Sequence, residues 1–349
     1  MKSTMTALVK AQSAVGLTLQ QLPVPAPGPA DLLVHVRRAA ICGSDIKAYA
    51  WDAWAQKIFK TFPCVLGHGF SGVVQAVGGQ VAHFKPGDRV SADTHVPCGR
   101  CYQCLTGEQH ICKHMQLIGH TMNGCFAEYC IVPQSAARRI PDALSFDDAA
   151  LLEPLGVALR PCVDQGSVTG ESAVVIGCGP IGLMTIGAMR ASGAFPIIGI
   201  DPVAARRDIA TRMGADIVLD GAADVAAAML AATAGDGAGV IVDASGSVKA
   251  IAASLAYLRK GGRYFMIGNA KEPLVVAEVG PGLINKEIHL TGIHGRRMFS
   301  TWQVSESLLV GKRIDLSPIV TTRLPLERYV EGFEQLLAGT ACKVLFEIS

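Results

Sequence analysis

Four cysteines lie close together in one short stretch of the chain. Cys98, Cys101, Cys104 and Cys112 have the spacing C-x2-C-x2-C-x7-C. Four thiolates on a short loop fit a closed tetrahedral zinc site, because Zn²⁺ imposes no geometry of its own and accepts all four sulfurs. An iron–sulfur cluster uses related spacings, although we find no second set of ligands, and free buried thiols are the other alternative. The spacing therefore predicts a structural zinc.

Three further residues of metal-binding type are spread through the first half of the chain. They are Cys42 in ICGSD, His68 in LGHG and Glu153 in LLEPLG. One sulfur, one imidazole and one carboxylate leave a fourth position open, as a catalytic zinc requires. Taken singly, such a Cys is usually a core residue and such a His a hydrogen-bonded structural residue. The metal interpretation is favoured by their combination with a nicotinamide site.

That nicotinamide site is predicted by the segment SAVVIGCGPIGLMTIGAM, which begins at Ser172. An apolar strand runs into a Gly-x-Gly-x-x-Gly motif and then into a helical pattern. The glycines let the backbone approach a pyrophosphate, and the first helical turn offers unpaired N–H groups to that anion. The alternative is a Gly-rich turn in another kind of α/β protein. The cradle residues that we predict are Gly177, Gly179, Pro180, Ile181 and Gly182.

The next apolar strand ends on Asp201, 24 residues after Gly177. A carboxylate at this position accepts a hydrogen bond from a ribose 2'-hydroxyl and repels a 2'-phosphate. Arg206 and Arg207 lie close by, and an arginine can accommodate that phosphate. We expect Asp201 to prevail, so NAD rather than NADP is the predicted cofactor.

The elements that position these residues fall into two classes. Short apolar segments broken by Gly and Pro predict an all-β, barrel-like region up to about residue 150. After it, six short strands alternate with Ala-rich helical stretches, which predicts a doubly wound parallel sheet. We predict an α/β fold in which residues 1–156 and 300–349 form the catalytic domain and residues 157–299 form the dinucleotide-binding domain.

Composition restricts the classes of partner. The chain has 349 residues, a formal net charge of +2 and no basic run, so nucleic acid and membrane surfaces are not expected partners. Half of the residues are hydrophobic, which supplies material for two cores. The N-terminus has no apolar signal region, which predicts a cytoplasmic protein. The uncharged run from Ser172 to Met189 contains glycines and Pro180, which indicate strand, turn and helix, so no transmembrane segment is expected. Eleven cysteines in that setting indicate metal ligands and buried thiols rather than disulfides.

Taken in chain order, these motifs resemble the zinc-containing medium-chain dehydrogenase/reductase family along nearly the whole sequence. The motifs are ICGSD, the Gly67-His68 pair, PGDRV, the four-cysteine loop, GCFAEY, Glu153-Pro154 and GCGPIG. WDAWAQK, GIHGRRMFSTW and LSPIVTTRL resemble the branch that oxidises L-threonine. The resemblance implies a GroES-like catalytic domain, a Rossmann domain, a homotetramer and two zinc ions per chain.

The resemblance also implies a mechanism and two departures from the family pattern. Zinc on Cys42, His68 and Glu153 would bind a secondary alcohol, Ser44 would accept its proton, and hydride would pass to NAD. The family usually has Glu where this chain has Gly69, and a relay His where it has Lys47. Lys47 is then a part of the proton path, a solvated surface charge, or a cation that holds a cofactor phosphate or an anionic substrate group. A polyol, sugar or aminocyclitol is the alternative substrate, and a non-catalytic nucleotide-binding protein is the alternative function.

Overall fold

Short apolar segments bounded by Gly and Pro form most of the strands, and the computed structural model describes residues 2–349. The strands are β1 (Thr4–Lys10), β2 (Thr18–Pro23), β3 (Asp31–Ala40), β4 (Cys64–Val65), β5 (Gly69–Val77), β6 (Arg89–Ala92), β7 (His95–Val96), β8 (Gln116–Leu117), β9 (Tyr129–Pro133), β10 (Ala137–Arg139), β11 (Ala173–Ile176), β12 (Ile197–Ile200), β13 (Ile217–Leu219), β14 (Ala238–Asp243), β15 (Leu258–Met266), β16 (His289–Gly292), β17 (Val320–Pro325) and β18 (Lys343–Glu347). The helices are α1 (Gly43–Ala50), α2 (Ala53–Ile58), α3 (Tyr102–Leu105), α4 (Phe146–Ala149), α5 (Leu152–Val163), α6 (Pro180–Ala191), α7 (Ala204–Arg212), α8 (Val225–Ala232), α9 (Val248–Ser254), α10 (Ser300–Val310) and α11 (Tyr329–Leu337).

The first of two compact units contains the chain up to Pro154 together with Arg297–Trp302 and Val320–Ser349. Its largest sheet has the order β10-β6-β5-β3-β18-β17, with β9 also paired to β3. A second sheet has the order β2-β1-β4, and β7 pairs with β8. Phe70, Phe126, Phe333 and Phe346 are buried at the centre of this unit. The C-terminal strand β18 lies antiparallel to β3, so the end of the chain contributes to the same core.

The second unit comprises Leu155–Arg296 and Gln303–Ile319. Its six strands are all parallel in the order β13-β12-β11-β14-β15-β16. Strands β11, β12 and β14 are buried along their whole length, as expected of a parallel sheet covered by helices on both faces. The strand order reverses direction at β11, so the crevice for a ligand lies at the carboxyl ends of β11 and β14.

The predicted α/β fold, a β-rich domain plus a doubly wound parallel sheet, is confirmed. The division of the C-terminal segment differs from the predicted boundary at residue 300, because Gln303–Ile319 belongs to the second unit. The reason is packing: Ile314 lies over Gly187 of α6, where an added Cβ would be 3.4 Å from the Ile314 side chain. Within residues 2–349, no helix is both long enough and apolar enough to cross a bilayer.

Candidate active site and metal centres

The four cysteines of the loop converge in space. Their sulfur atoms all lie within 4.8 Å of one another, with Cys101 Sγ 3.5 Å from Cys104 Sγ and 3.6 Å from Cys112 Sγ. A tetrahedron with Zn–S bonds of about 2.3 Å has edges of roughly 3.8 Å, so this donor set fits zinc. The backbone N–H groups of Cys98 and His114 point at Cys112 Sγ, each at 3.3 Å, and would stabilise a thiolate there.

Helix α1 carries the next group of predicted site residues. Cys42 is its N-cap, in extended conformation, and Ser44 lies in its first turn. Ser44 Oγ is 3.5 Å from Nε2 of His68, which stands immediately before β5. The turn before β5 and the start of α1 therefore bring the predicted sulfur, hydroxyl and imidazole into one place.

Asp45 fixes the orientation of these groups, and we did not predict its role from the sequence. Its side chain is 1% exposed. Oδ2 accepts a hydrogen bond from the Cys42 backbone N–H at 2.8 Å, and Oδ1 lies 3.7 Å from Nδ1 of His68. Neither Asp45 Oδ1 nor His68 Nδ1 has a hydrogen-bond partner. The signal in the sequence was the Cys42–Asp45 spacing, which places an acid at the third helical position.

Glu153 reaches the same region from the first turn of α5. Its Oε1 accepts a hydrogen bond from Thr94 Oγ1 at 3.2 Å, and both residues are buried. Glu153 is close enough to influence the pKa of both Cys42 and His68. Among residues 2–349, however, the group of side chains close enough together to hold a metal ion is the four-cysteine one, and Cys42, His68 and Glu153 do not form such a group.

Burial and neighbouring charges shift the pKa values of Cys42 and His68. Burial alone raises the pKa of Cys42, but His68 and then Lys343 reverse that effect, and the net pKa falls to about 7. Burial lowers the pKa of His68, whereas Asp45, Cys42 and Glu153 together raise it to about 9. A thiol that ionises readily beside a buried imidazole and a buried carboxylate is a donor set that fits a divalent cation.

Aromatic groups form a wall beside His68. The ring centroid of His120 lies 4.8 Å from that of His68. On its other contacts, the His120 ring meets Trp54 edge-on at 5.7 Å and Phe59 at 5.6 Å between centroids. Burial first, and then His68, lower the pKa of His120 to about 3, so this imidazole is neutral. Sequence analysis did not identify His120, because its motif, IGHTMNG, carries no metal-ligand spacing.

Lys47 is not the fully solvated residue that we considered from the sequence. It is half-buried, and its Nζ lies over the Trp54 ring at 5.2 Å from the centroid. Lys47 follows Ser44 by three residues on α1, which places both on one helix face. No Asp or Glu of residues 2–349 forms an ion pair with it. The ammonium therefore keeps its capacity for an anionic group of a ligand.

In the second unit, the Gly-rich turn joins β11 to α6 as predicted. Gly177 has φ +90°, a left-handed conformation that favours glycine. Gly179 is the N-cap of α6, Pro180 and Ile181 open the helix, and a Cβ on Gly182 would overlap the carbonyl oxygen of Gly177. A Cβ on Gly179 would meet no protein atom. The turn thus leaves an open approach to the helix N-terminus, which fits a pyrophosphate.

Asp201 follows β12 directly and is buried, with 3% exposure. Its Oδ2 accepts from the Cys178 N–H at 2.9 Å and its Oδ1 from the Val203 N–H at 2.8 Å. Arg206 Nη1 is 3.7 Å from Oδ2. Asp201 therefore also ties the Gly-rich turn to the end of β12, a structural role that the sequence did not reveal.

Two family models match this chain, one in each half. Residues 28–142 match the family described as alcohol dehydrogenase GroES-like domain, and residues 180–310 match zinc-binding dehydrogenase. L-threonine 3-dehydrogenase of Bacillus subtilis is 39% identical over 342 residues, covering 98% of each chain. The L-threonine 3-dehydrogenase of Pyrococcus abyssi is 35% identical over 99% of each chain.

Solved structures of the same architecture carry nicotinamide cofactors. A zinc-binding dehydrogenase from Sinorhizobium meliloti bound to NADP has a TM-score of 0.90 at 28% identity, covering 99% of this chain and 100% of that one. An alcohol dehydrogenase from E. coli CFT073 complexed with NADH has a TM-score of 0.90 at 25% identity, with the same coverage. The sequence resemblance is thereby confirmed, and the chain belongs to the zinc-containing medium-chain dehydrogenase/reductase family as an NAD(P)-linked alcohol dehydrogenase.

Proposed function

We propose that this enzyme oxidises the secondary hydroxyl of L-threonine with NAD as the hydride acceptor. The proposal is supported by the contact of Ser44 with His68 and by the influence of Glu153 on the pKa of both Cys42 and His68, in a chain similar over its full length to L-threonine 3-dehydrogenases. Loss of a hydride from C3 and a proton from the hydroxyl would convert L-threonine to 2-amino-3-oxobutyrate.

In this proposal Cys42, His68 and Glu153 hold a catalytic zinc, and the four cysteines of the loop hold a structural one. A zinc ion bound there supplies Lewis-acid polarisation of the alcohol oxygen. Asp45 orients the imidazole of His68 and the backbone of Cys42. Ser44 Oγ lies beside His68 and accepts the proton of the substrate hydroxyl, which it passes outward to the cofactor ribose or to water.

Lys47 provides the feature that distinguishes an amino acid from a neutral alcohol. Ser44 and Lys47 are separated by about 4.5 Å along the axis of α1, at 1.5 Å per residue. A substrate with its hydroxyl at Ser44 can therefore place a carboxylate near the ammonium that lies over Trp54. Neutral polyols lack this group. The contact favours L-threonine over the polyol, sugar and aminocyclitol alternatives.

The test is a substrate panel with NAD, followed by NADH absorbance, together with metal analysis of the same protein. L-threonine, 2,3-butanediol, sorbitol and myo-inositol represent the amino alcohol and its neutral competitors. We expect the highest kcat/KM for L-threonine and two zinc ions per chain. A higher kcat/KM for any neutral alcohol would contradict the substrate assignment, and absence of NADH formation from the whole panel would contradict the activity. The homotetramer and the cytoplasmic location stay predictions from the sequence.

A further inference from the structure

Lys343 is a buried cation that lies beside the proposed catalytic metal site. It is 4% exposed and opens the C-terminal strand β18. Strand β18 pairs antiparallel with β3, with Leu345 opposite Ala40. The Ile41 N–H donates to the Val344 carbonyl at 3.1 Å and extends this pairing by one step. The end of the chain is therefore fixed against the residues that lead into α1.

The ammonium of Lys343 contacts the peptide group that precedes the predicted ligand. Lys343 Nζ donates a hydrogen bond to the Ile41 carbonyl oxygen at 2.8 Å. The same peptide unit contains the N–H of Cys42, which donates to Asp45 Oδ2 at 2.8 Å. One peptide plane is thus held at its oxygen by a buried cation and at its nitrogen by a buried anion. The two bonds fix the direction in which Cys42 leaves the backbone.

The charge of Lys343 and its hydrogen bond act in opposite directions on a bound cation. As a positive charge, Lys343 repels a metal ion, so removal of the charge alone would tighten metal binding. As a donor, it satisfies a buried carbonyl, and without it that carbonyl would be unpaired, which a shift of the backbone would relieve. The two effects can be separated by side chains that keep one property and lose the other.

We propose that Lys343 is a positioning residue for the metal ligand Cys42, acting through its hydrogen bond to the Ile41–Cys42 peptide rather than through its charge. This inference rests on the catalytic metal site of the proposed function. It assigns to the C-terminal strand a part in the active site that no motif near Cys42 indicates. Residues that orient metal ligands typically change metal affinity about 10–100-fold when they are replaced.

The experiment measures zinc retention against a chelator in the full-length protein. Lys343→Met removes both the donor and the charge, Lys343→Gln keeps a donor without the charge, and Lys343→Arg keeps both. We expect Lys343→Met to release one of two zinc ions at a chelator concentration about 10–100-fold lower than wild type requires. Lys343→Gln and Lys343→Arg are expected to remain within about 3-fold of wild type. If Lys343→Met does not fold, Lys343→Ala takes its place.

Lys10 provides a matched control, because it is the other buried lysine of the first unit. Lys10 is fully buried, and its Nζ donates to the carbonyls of Ala14, Gly16 and Ala48, none of which belongs to the peptide before Cys42. Lys10→Met is expected to lower Tm and to retain both zinc ions at wild-type chelator concentrations.

Three results would overturn the inference. Unchanged or tighter zinc retention in both Lys343→Met and Lys343→Gln would show that the hydrogen bond has no positioning role. Equal losses of zinc in the Met and Gln variants would show that a neutral donor cannot replace Lys343, so the hydrogen bond alone would not position Cys42. Selective loss of zinc in Lys10→Met would show that removal of any buried lysine suffices. A wild-type chain with only the four-cysteine zinc would instead contradict the proposed function itself.

Discussion

Replacement of Asp201 by asparagine tests how the enzyme selects its cofactor. The carboxylate accepts the N–H groups of Cys178 and Val203, one on each oxygen. Asparagine keeps one of these acceptors and removes the negative charge. We therefore expect Asp201→Asn to retain the Gly-rich turn and to accept NADP, whose 2'-phosphate the wild-type carboxylate repels.

The magnitude follows from the charges around this position. Two unit charges 4 Å apart interact by about 4 kcal/mol at an effective dielectric constant of 20. Arg206 lies 3.7 Å from Asp201 Oδ2 and offsets part of the carboxylate's field on the phosphate. If Arg206 offsets roughly half of this Coulomb energy, the repulsion between Asp201 and the 2'-phosphate is about 2 kcal/mol. At 1.36 kcal/mol per tenfold change, the preference for NAD over NADP should fall about 30-fold.

The assay compares kcat/KM for NAD and NADP at saturating alcohol. Asp201→Asn should lose most of the preference for NAD over NADP. The double variant Asp201→Asn with Arg206→Gln should lose part of the activity with NADP that Asp201→Asn gains. Arg207→Gln is the control, because Arg207 Nη1 donates to the Asp201 and Pro202 carbonyls instead. Asp201→Ala is less informative, since two unpaired N–H groups would each cost about 1–3 kcal/mol. Equal use of both cofactors by wild type, or an unchanged preference in Asp201→Asn, would refute the reasoning.

Three further substitutions test the metal sites and the substrate contact. Cys98→Ser should lose the structural zinc. Binding of a structural zinc contributes roughly 10–16 kcal/mol to folding, and loss of even about 3 kcal/mol of this stability would lower Tm by about 6–12 °C. Glu153→Ala should lose the catalytic zinc and lower kcat/KM by about 100-fold or more, measured by metal analysis and NADH formation. Lys47→Met should raise KM for L-threonine about 10–150-fold, because a charge-assisted hydrogen bond contributes about 1.5–3 kcal/mol, with little change for 2,3-butanediol.

Each of these variants has its own control. Unchanged Tm and full zinc content in Cys98→Ser would contradict the structural site. Asp147→Ala removes a carboxylate that pairs with Arg38 and Arg323, and it should keep both zinc ions, whereas the same result for Glu153→Ala would contradict the proposed ligand set. Lys57→Met removes an exposed lysine from α2. If Lys47→Met leaves KM for L-threonine as little changed as Lys57→Met does, Lys47 is a surface charge. A reduced kcat with an altered pH profile would instead indicate that Lys47 takes part in a proton relay.

The parts of the protein that could be predicted from the sequence are those whose contacts are local. The four cysteines lie within a stretch of 15 residues, from Cys98 to Cys112, and the Gly-rich turn is six residues long. The spacing of these residues is therefore enough to predict their geometry. The parallel sheet was also predictable, because β11, β12 and β14 are continuous apolar segments between helical ones. In these stretches each residue's neighbours in space are also its neighbours in sequence.

The proposed catalytic site is different, because its contacts join distant parts of the chain. Thr94 and Glu153 are 59 residues apart, and Ile41 and Lys343 are 302 apart. No periodicity or turn signal relates such pairs. They meet only because β18 pairs with β3 and because α5 begins soon after β10 and α4 of the first unit. Motif resemblance pointed to Cys42, His68 and Glu153 as the proposed ligands, but it could not identify the residues that contact them.

Gly69 shows how packing can account for a departure from the family pattern. The residue is buried at the start of β5, paired with Ala40, and a Cβ there would lie 3.2 Å from the Ala150 carbonyl oxygen. The segment that leads to Glu153 therefore packs directly against the backbone at position 69. A glutamate side chain at this position would require that segment to move. Gly69 therefore lacks a carboxylate in the same arrangement that brings the Glu153 segment close to it. In the proposed site, the acidic ligand is supplied by Glu153 instead.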